Sequence, residues 1–118
     1  MRLLLVTHFF PSHGGGIERV AAQLAQRLAA AGHAIVWCAS DTDPPPEWPG
    51  IEARPMRSFN LVERLSGFPY PLWSPAAWRT LAREVHASDA VHVHDCIYAS
   101  SLVAATLARR ARRRLVVT

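Results

Sequence analysis

Lysine is absent from this chain: all 13 basic residues are arginine. A base-composition bias of the source genome is enough to produce that pattern, so it carries no function by itself. Cysteine is nearly absent too. Cys38 and Cys96 each close an apolar run, which fits free thiols at the edge of a core better than a disulfide. No apolar run reaches the roughly 18 residues of a membrane-spanning helix. The opening Met1–Val6 stretch has the look of a signal peptide, but it is short, meets His8 and Pro11, and lacks a small-residue cleavage site. A cytoplasmic protein is the expectation. No nucleic-acid reading motif and no basic-aromatic alternation is present, so no nucleic-acid partner is expected. Internal repeats and low-complexity tracts are also missing.

What remains is a chain of 118 residues, 50% hydrophobic and 19% charged, with a formal net charge of +4. This length gives one domain with a real core. The basic run Arg109–Arg114 reads first as a solvated helix end, where the dipole favours cations, and second as a contact with an anionic membrane surface.

The hydrophobic pattern gives the order of elements. "RLLLVT" (2–7) and "AIVWCA" (34–39) read as buried strands. Between them a helix is expected from Ile17 to Ala31, its inward stripe formed by Ile17, Val20, Ala21, Leu24 and Leu28, with Gly32 in the left-handed position that ends it. "DTDPPPEWPG" (41–50) is an exposed loop, since proline lacks the donor and fixes φ. "IEARPM" (51–56) is a short third strand, placed near an edge by Pro55. Residues 58–73 stay ambiguous, rich in aromatics and broken by Gly67, Pro69 and Pro71. A helix over 75–87 begins on Pro75, "DAVHVH" (89–94) is a fourth strand, a helix covers 98–112, and "RLVVT" (114–118) starts a fifth strand. Continuous apolar strands alternating with helices indicate an α/β, Rossmann-like parallel sheet with helices on both faces. Because the sequence stops inside an apolar strand, it reads as the N-terminal piece of a longer protein, truncated within or just after strand 5.

Such sheets bind ligands beyond the carboxyl ends of their strands, at the point where strand order reverses. Gly14, Gly15 and Gly16 lie between the first strand and the first helix, where backbone N–H groups at a helix start attract anions. They form neither G-x-G-x-x-G nor a P-loop ending, so a dinucleotide fingerprint does not fit. A phosphate floor and a simple tight turn both remain open. Glu18, in the first helical turn, either stabilises that turn or meets a hydroxylated ligand. His92 and His94 share one side of the fourth strand. His92 reads as a core histidine with a hydrogen-bonded ring, as a metal ligand with Asp95 or Cys96, or as cleft lining. No further ligand pattern completes a metal site. If the fourth strand neighbours the first, then His8, the glycine loop, His94 and Asp95 share one crevice.

Taken in order, "FPSHGGGIERVAAQLAQRLAAAGHAIVWCAS", "DAVHVHD" and "RLVVT" resemble the N-terminal half of the family 4 retaining glycosyltransferases. The likeness covers residues 1–40 and 86–118. It implies one half of a two-domain GT-B architecture, residues 1–118 supplying the acceptor side and the absent C-terminal domain holding the nucleotide-sugar. It implies transfer of a sugar, with retention, to a glycan, lipid-linked or small-molecule acceptor, with no cofactor and no metal. Gly14, Gly15 and Gly16 would floor the donor phosphates, and His8, Glu18, His94 and Asp95 would border the acceptor cleft. The family's important histidine follows the fifth strand, and its Glu-x7-Glu motif belongs to the second domain. Neither occurs here, so residues 1–118 alone are expected to be inactive.

The middle segment offers Phe59, Leu61, Leu65, Phe68, Tyr70, Leu72 and Trp73. These pack onto the sheet, or they meet a membrane or lipid-linked acceptor with help from Arg57 and Arg64, giving peripheral contact at the inner face of the membrane. Two further readings are kept: a non-enzymatic module that binds phosphate, nucleotide or a partner, and a weaker one, a metal-dependent hydrolase using the histidines.

Overall fold

The computed structural model describes residues 1–59, 61–67, 72–95 and 98–118, with only the backbone of Glu63. Phe68, Tyr70 and Cys96, singled out above, lie outside the described residues. In chain order the elements are β1 (Arg2–Val6), a single 3-10 turn (Pro11–His13), α1 (Gly16–Ala30), β2 (Ala34–Ser40), β3 (Ile51–Met56), β4 (Ser58–Phe59), α2 (Leu61–Ser66), β5 (Leu72–Trp73), α3 (Pro75–Ala87), β6 (Ala90–Val93), α4 (Ala99–Arg110) and β7 (Arg114–Val117).

Five strands form one parallel sheet in the order β3-β2-β1-β6-β7. The apolar runs of β1 and β2 follow from burial on both faces. Leu4, Val6, Val36 and Val91 face α3 and α4, whereas Leu5, Ile35 and Trp37 face α1. Pro55 sits in β3, which among the described residues pairs only with β2, so its missing donor costs no ladder bond. The helix over 75–87 starts where expected: Ser74 accepts a hydrogen bond from the Ala77 N–H at 3.1 Å, and Pro75 opens the first turn. Gly32, at φ 97°, closes the end of α1.

Two expectations need correction. In α1 the buried face is Glu18, Ala21, Ala22 and Ala25, while Ile17 and Val20 are exposed. Beneath it lie Trp37 of β2 and Phe10 of the loop after β1, both fully buried, and small alanines let the helix approach those bulky rings. Apolar periodicity alone weighted the larger aliphatic side chains and turned the helix too far. The second concerns residues 58–73. They add a two-stranded antiparallel pair, Ser58 opposite Trp73 and Phe59 opposite Leu72, with the short α2 between. Trp73 is buried in the core, and its Nε1–H donates to Ser40 Oγ at 2.8 Å. Phe59, Leu61 and Leu65 stay exposed.

The strand order positions the site. β1 leads through α1 to β2 on one side, and β6 leads through α4 to β7 on the other. The order therefore reverses between β1 and β6, and the loops that begin at Thr7 and His94 diverge from that point.

Candidate functional site

The loop after β1 is fastened before it reaches the glycines. Thr7 Oγ1 donates to the Phe9 carbonyl at 2.6 Å and accepts from Trp37 Nε1 at 2.9 Å. Phe10 is fully buried and meets the Trp37 ring edge-on at 6.0 Å. The 3-10 turn then closes on Gly14, whose N–H donates to the Pro11 carbonyl at 3.0 Å. On its outer side the loop is tied to the proline-rich segment, with Ser12 Oγ donating to the Pro44 carbonyl at 2.9 Å and His13 Nδ1 lying 3.4 Å from Asp43. His13 also stacks on Phe9, ring centroids 3.9 Å apart.

The three glycines have three different local roles. Gly14 has φ 88°, a left-handed conformation that a side chain disfavours. Gly15 is the residue before α1, and the space a Cβ would need there is filled by the Glu18 carboxylate. Gly16 is the first helical residue, and a Cβ on it would meet no atom of the described residues within 4 Å. Among the described residues no side chain caps α1, so its first N–H groups and the positive end of its dipole lie beside this exposed glycine turn. Glu18 is the acidic group in the first turn and is only 7% exposed.

Across the reversal point lie the other candidates. His8 stacks face to face on Tyr98 at 3.8 Å, and its Nδ1 is 3.4 Å from Ser100 Oγ in the first turn of α4. His94 stacks on His92 at 4.2 Å, and the His94 Nε2 is buried without a hydrogen-bond partner among the described residues. Asp95 Oδ1 accepts from the Tyr98 N–H at 3.3 Å. The ring of His92 is hydrogen-bonded, its Nε2 2.6 Å from Thr118 Oγ1.

Burial decides the charge of these rings. It lowers the pKa of His8 from 6.5 to about 4, against the opposing pull of Asp95. Burial and the neighbouring His92 likewise bring His94 to about 4. His92 is also lowered by burial. At neutral pH the site therefore presents uncharged imidazoles, able to hydrogen-bond but not to neutralise an anion.

Every described residue expected at the crevice is thus found at one end of the sheet. However, His8 (3% exposed), His94 (4%) and Asp95 (8%) lie beneath the surface rather than lining an open pocket. The accessible part is the glycine turn, with Gly14 and Gly16 exposed. Tyr98 and Ser100 escaped the sequence reading. The only available signal was their position just past the reversal strand, which an alanine-rich helix start conceals. Among the described residues no three histidine, cysteine or carboxylate groups gather to hold a metal ion, and Cys38 is a free, buried thiol whose pKa is raised by burial.

A parallel α/β sheet with helices on both faces and a strand order that reverses between β1 and β6 defines a Rossmann-like domain. The family model of Glycosyltransferase Family 4 matches residues 14–118, most of the chain. The chain belongs to that family, as its N-terminal domain, and is a glycosyltransferase domain; such a domain works on a sugar donor and an acceptor. No curated protein shows significant similarity to the chain. No helix among the described residues is long and apolar enough to cross a membrane.

Proposed function

We propose that residues 1–118 are the acceptor-side half of a GT-B, retaining glycosyltransferase that uses a nucleotide-sugar. The observation that carries this reading is the uncapped start of α1 behind Gly14–Gly16, at the reversal point of a family 4 sheet. As the sugar leaves its donor, negative charge grows on the departing diphosphate. Backbone N–H groups fixed at a helix start stabilise such charge without reorganising. Gly14 and Gly16 leave the backbone open to a phosphate, and a side chain at either would project over it or strain the turn. In this reading no metal or cofactor is needed for that task.

Glu18, beside the phosphate seat, is assigned to an acceptor hydroxyl. His8, His94 and Asp95 form the polar bed of the cleft, reached when the crevice opens. The exposed Phe59, Leu61 and Leu65, with Arg57 and Arg64 close in sequence, support peripheral contact with an anionic membrane surface, from which a lipid-linked acceptor would be offered. The donor's sugar and base belong to a second domain, so residues 1–118 are expected to bind without catalysing transfer.

Calorimetric titration with uridine diphosphate and with uridine tests the assignment. Binding of the diphosphate but not the nucleoside is expected, with no turnover of a nucleotide-sugar. Equal response to both ligands would remove the phosphate seat, and turnover by residues 1–118 would remove the two-domain assignment.

A further inference from the structure

A cavity of about 570 Å³ lies one loop away from the glycine turn. It is formed at the carboxyl ends of β2 and β3, where Asp41 and Thr42 follow one strand and Ser58 follows the other. Its two walls differ in chemistry. Asp41, Thr42 and Ser58 are polar, whereas Phe59, Leu61 and Leu72 are apolar, with Arg64 on the α2 side. Phe59 is 50% and Leu61 53% exposed. A single exposed leucine means little, but apolar side chains converging on a concave surface beside fixed polar groups mark a ligand site.

The polar wall is built rather than accidental. Asp41 Oδ1 accepts from both the N–H and the hydroxyl of Ser58, at 3.2 and 2.7 Å, and the Asp41 N–H donates to the Met56 carbonyl at 2.9 Å. That wall is also the one continuous with the candidate site, because the next residue, Asp43, pairs with His13 of the glycine turn. The apolar wall joins the facing pair Phe59 of β4 and Leu72 of β5 to Leu61 of α2, where Arg64, three residues on, shares the face of Leu61.

From this division we infer that the cavity binds an amphiphile: a hydroxylated head on Asp41, Thr42 and Ser58, and an alkyl chain along Phe59, Leu61 and Leu72. The inference rests on the glycosyltransferase reading and gives its acceptor a chemical class. The head group sits on the side nearest the phosphate seat, and the chain runs towards the exposed surface of α2.

Amide spectra of the labelled chain titrated with methyl, hexyl and octyl β-glucoside, all below micelle formation, test it. Saturable shifts are expected at Thr42, Ser58, Leu61 and Leu72. Affinity should rise with chain length, by up to about fourfold per methylene buried, until the apolar wall is covered. Leu61→Asp should weaken octyl glucoside binding at least about tenfold, the equivalent of two buried methylenes. Leu102→Asp, an equally exposed leucine (53%) on α4, should leave it unchanged. Equal affinity for methyl and octyl glucoside overturns the inference. So do shifts gathered instead at Leu24, Leu28 and Val116, around the apolar slot of about 200 Å³ beside α1. Flotation on phosphatidylglycerol vesicles without monomer binding also overturns it, leaving only a surface contact. Pyrophosphate added to the same samples reports on Gly14–Glu18, so failure of the phosphate seat is read separately from failure of this cavity.

Discussion

The seat of Glu18 over Gly15 predicts a coupling that can be measured. Alanine is compatible with the Gly15 backbone, φ −75° and ψ 162°, so the substitution Gly15→Ala introduces no torsional strain. Its added methyl would overlap Glu18 Oε2 and drive the carboxylate out. Losing a partly buried carboxylate from a helix start costs about 1 kcal/mol, up to about 2. Alanine is a poorer residue than glycine ahead of a helix, but this is offset by the smaller entropy of its unfolded chain, worth about 0.4–1 kcal/mol. Gly15→Ala should therefore destabilise by about 1 kcal/mol, near 4 °C in Tm for a domain of this size. With Glu18→Ala already present nothing is left to displace, and the same change should be close to neutral. Urea denaturation of wild type, both single variants and the double variant gives the coupling, expected at about 1–2 kcal/mol. Costs that add within about 0.5 kcal/mol would show that Glu18 and Gly15 are independent and would refute the reasoning.

Three other outcomes follow from the same geometry. Burial holds His8 and His94 at about 4, below the unfolded value of 6.5, so the unfolded chain binds more protons between those values. Stability should be full above pH 6.5 and fall as pH drops towards 4, by at most about 3 kcal/mol per ring; denaturation midpoints that stay flat from pH 7 to 5 would contradict this. Glu84, buried on α3, accepts from Arg2 at 2.6 Å and Arg54 at 3.4 Å; Arg54 keeps Glu52 at 2.8 Å, so Glu84→Ala should cost about 1–3 kcal/mol chiefly through the lost bond to Arg2, measured by thermal melts. Gly14→Ala should cost about 1–2 kcal/mol, because φ 88° persists only with glycine's freedom, whereas Gly16→Ala should be neutral or slightly stabilising.

The sheet was legible because its strands are apolar on both faces, as in the unbroken runs Leu3–Val6 of β1 and Ala34–Ala39 of β2. The α3 start was legible because Pro75 suits a first helical turn; the cap supplied by Ser74 came only with the structure. The face of α1 was not, because the alanines that bury it carry a weaker hydrophobic signal than the exposed Ile17 and Val20. Residues 58–73 hid a two-residue strand pair and a six-residue helix, both too short to show a period. For the site, adjacency of β1 and β6 was enough to bring His8, the glycine turn, His94 and Asp95 together. Their depth was not readable, since it depends on Tyr98 stacking over His8, and nothing in the spacing announces that contact.

The central claim is that the glycine turn and the start of α1 form a diphosphate seat. Amide spectra of the chain titrated with inorganic pyrophosphate test it most directly, with Gly16→Asp as the partner sample. That variant places a carboxylate where the dipole favours one and where no atom of the described residues obstructs its Cβ, so the fold should be kept. The account predicts saturable shifts confined to Gly14–Glu18 in the wild type and their loss in Gly16→Asp. Shifts located elsewhere, or a Gly16→Asp protein that binds pyrophosphate as the wild type does, would contradict it.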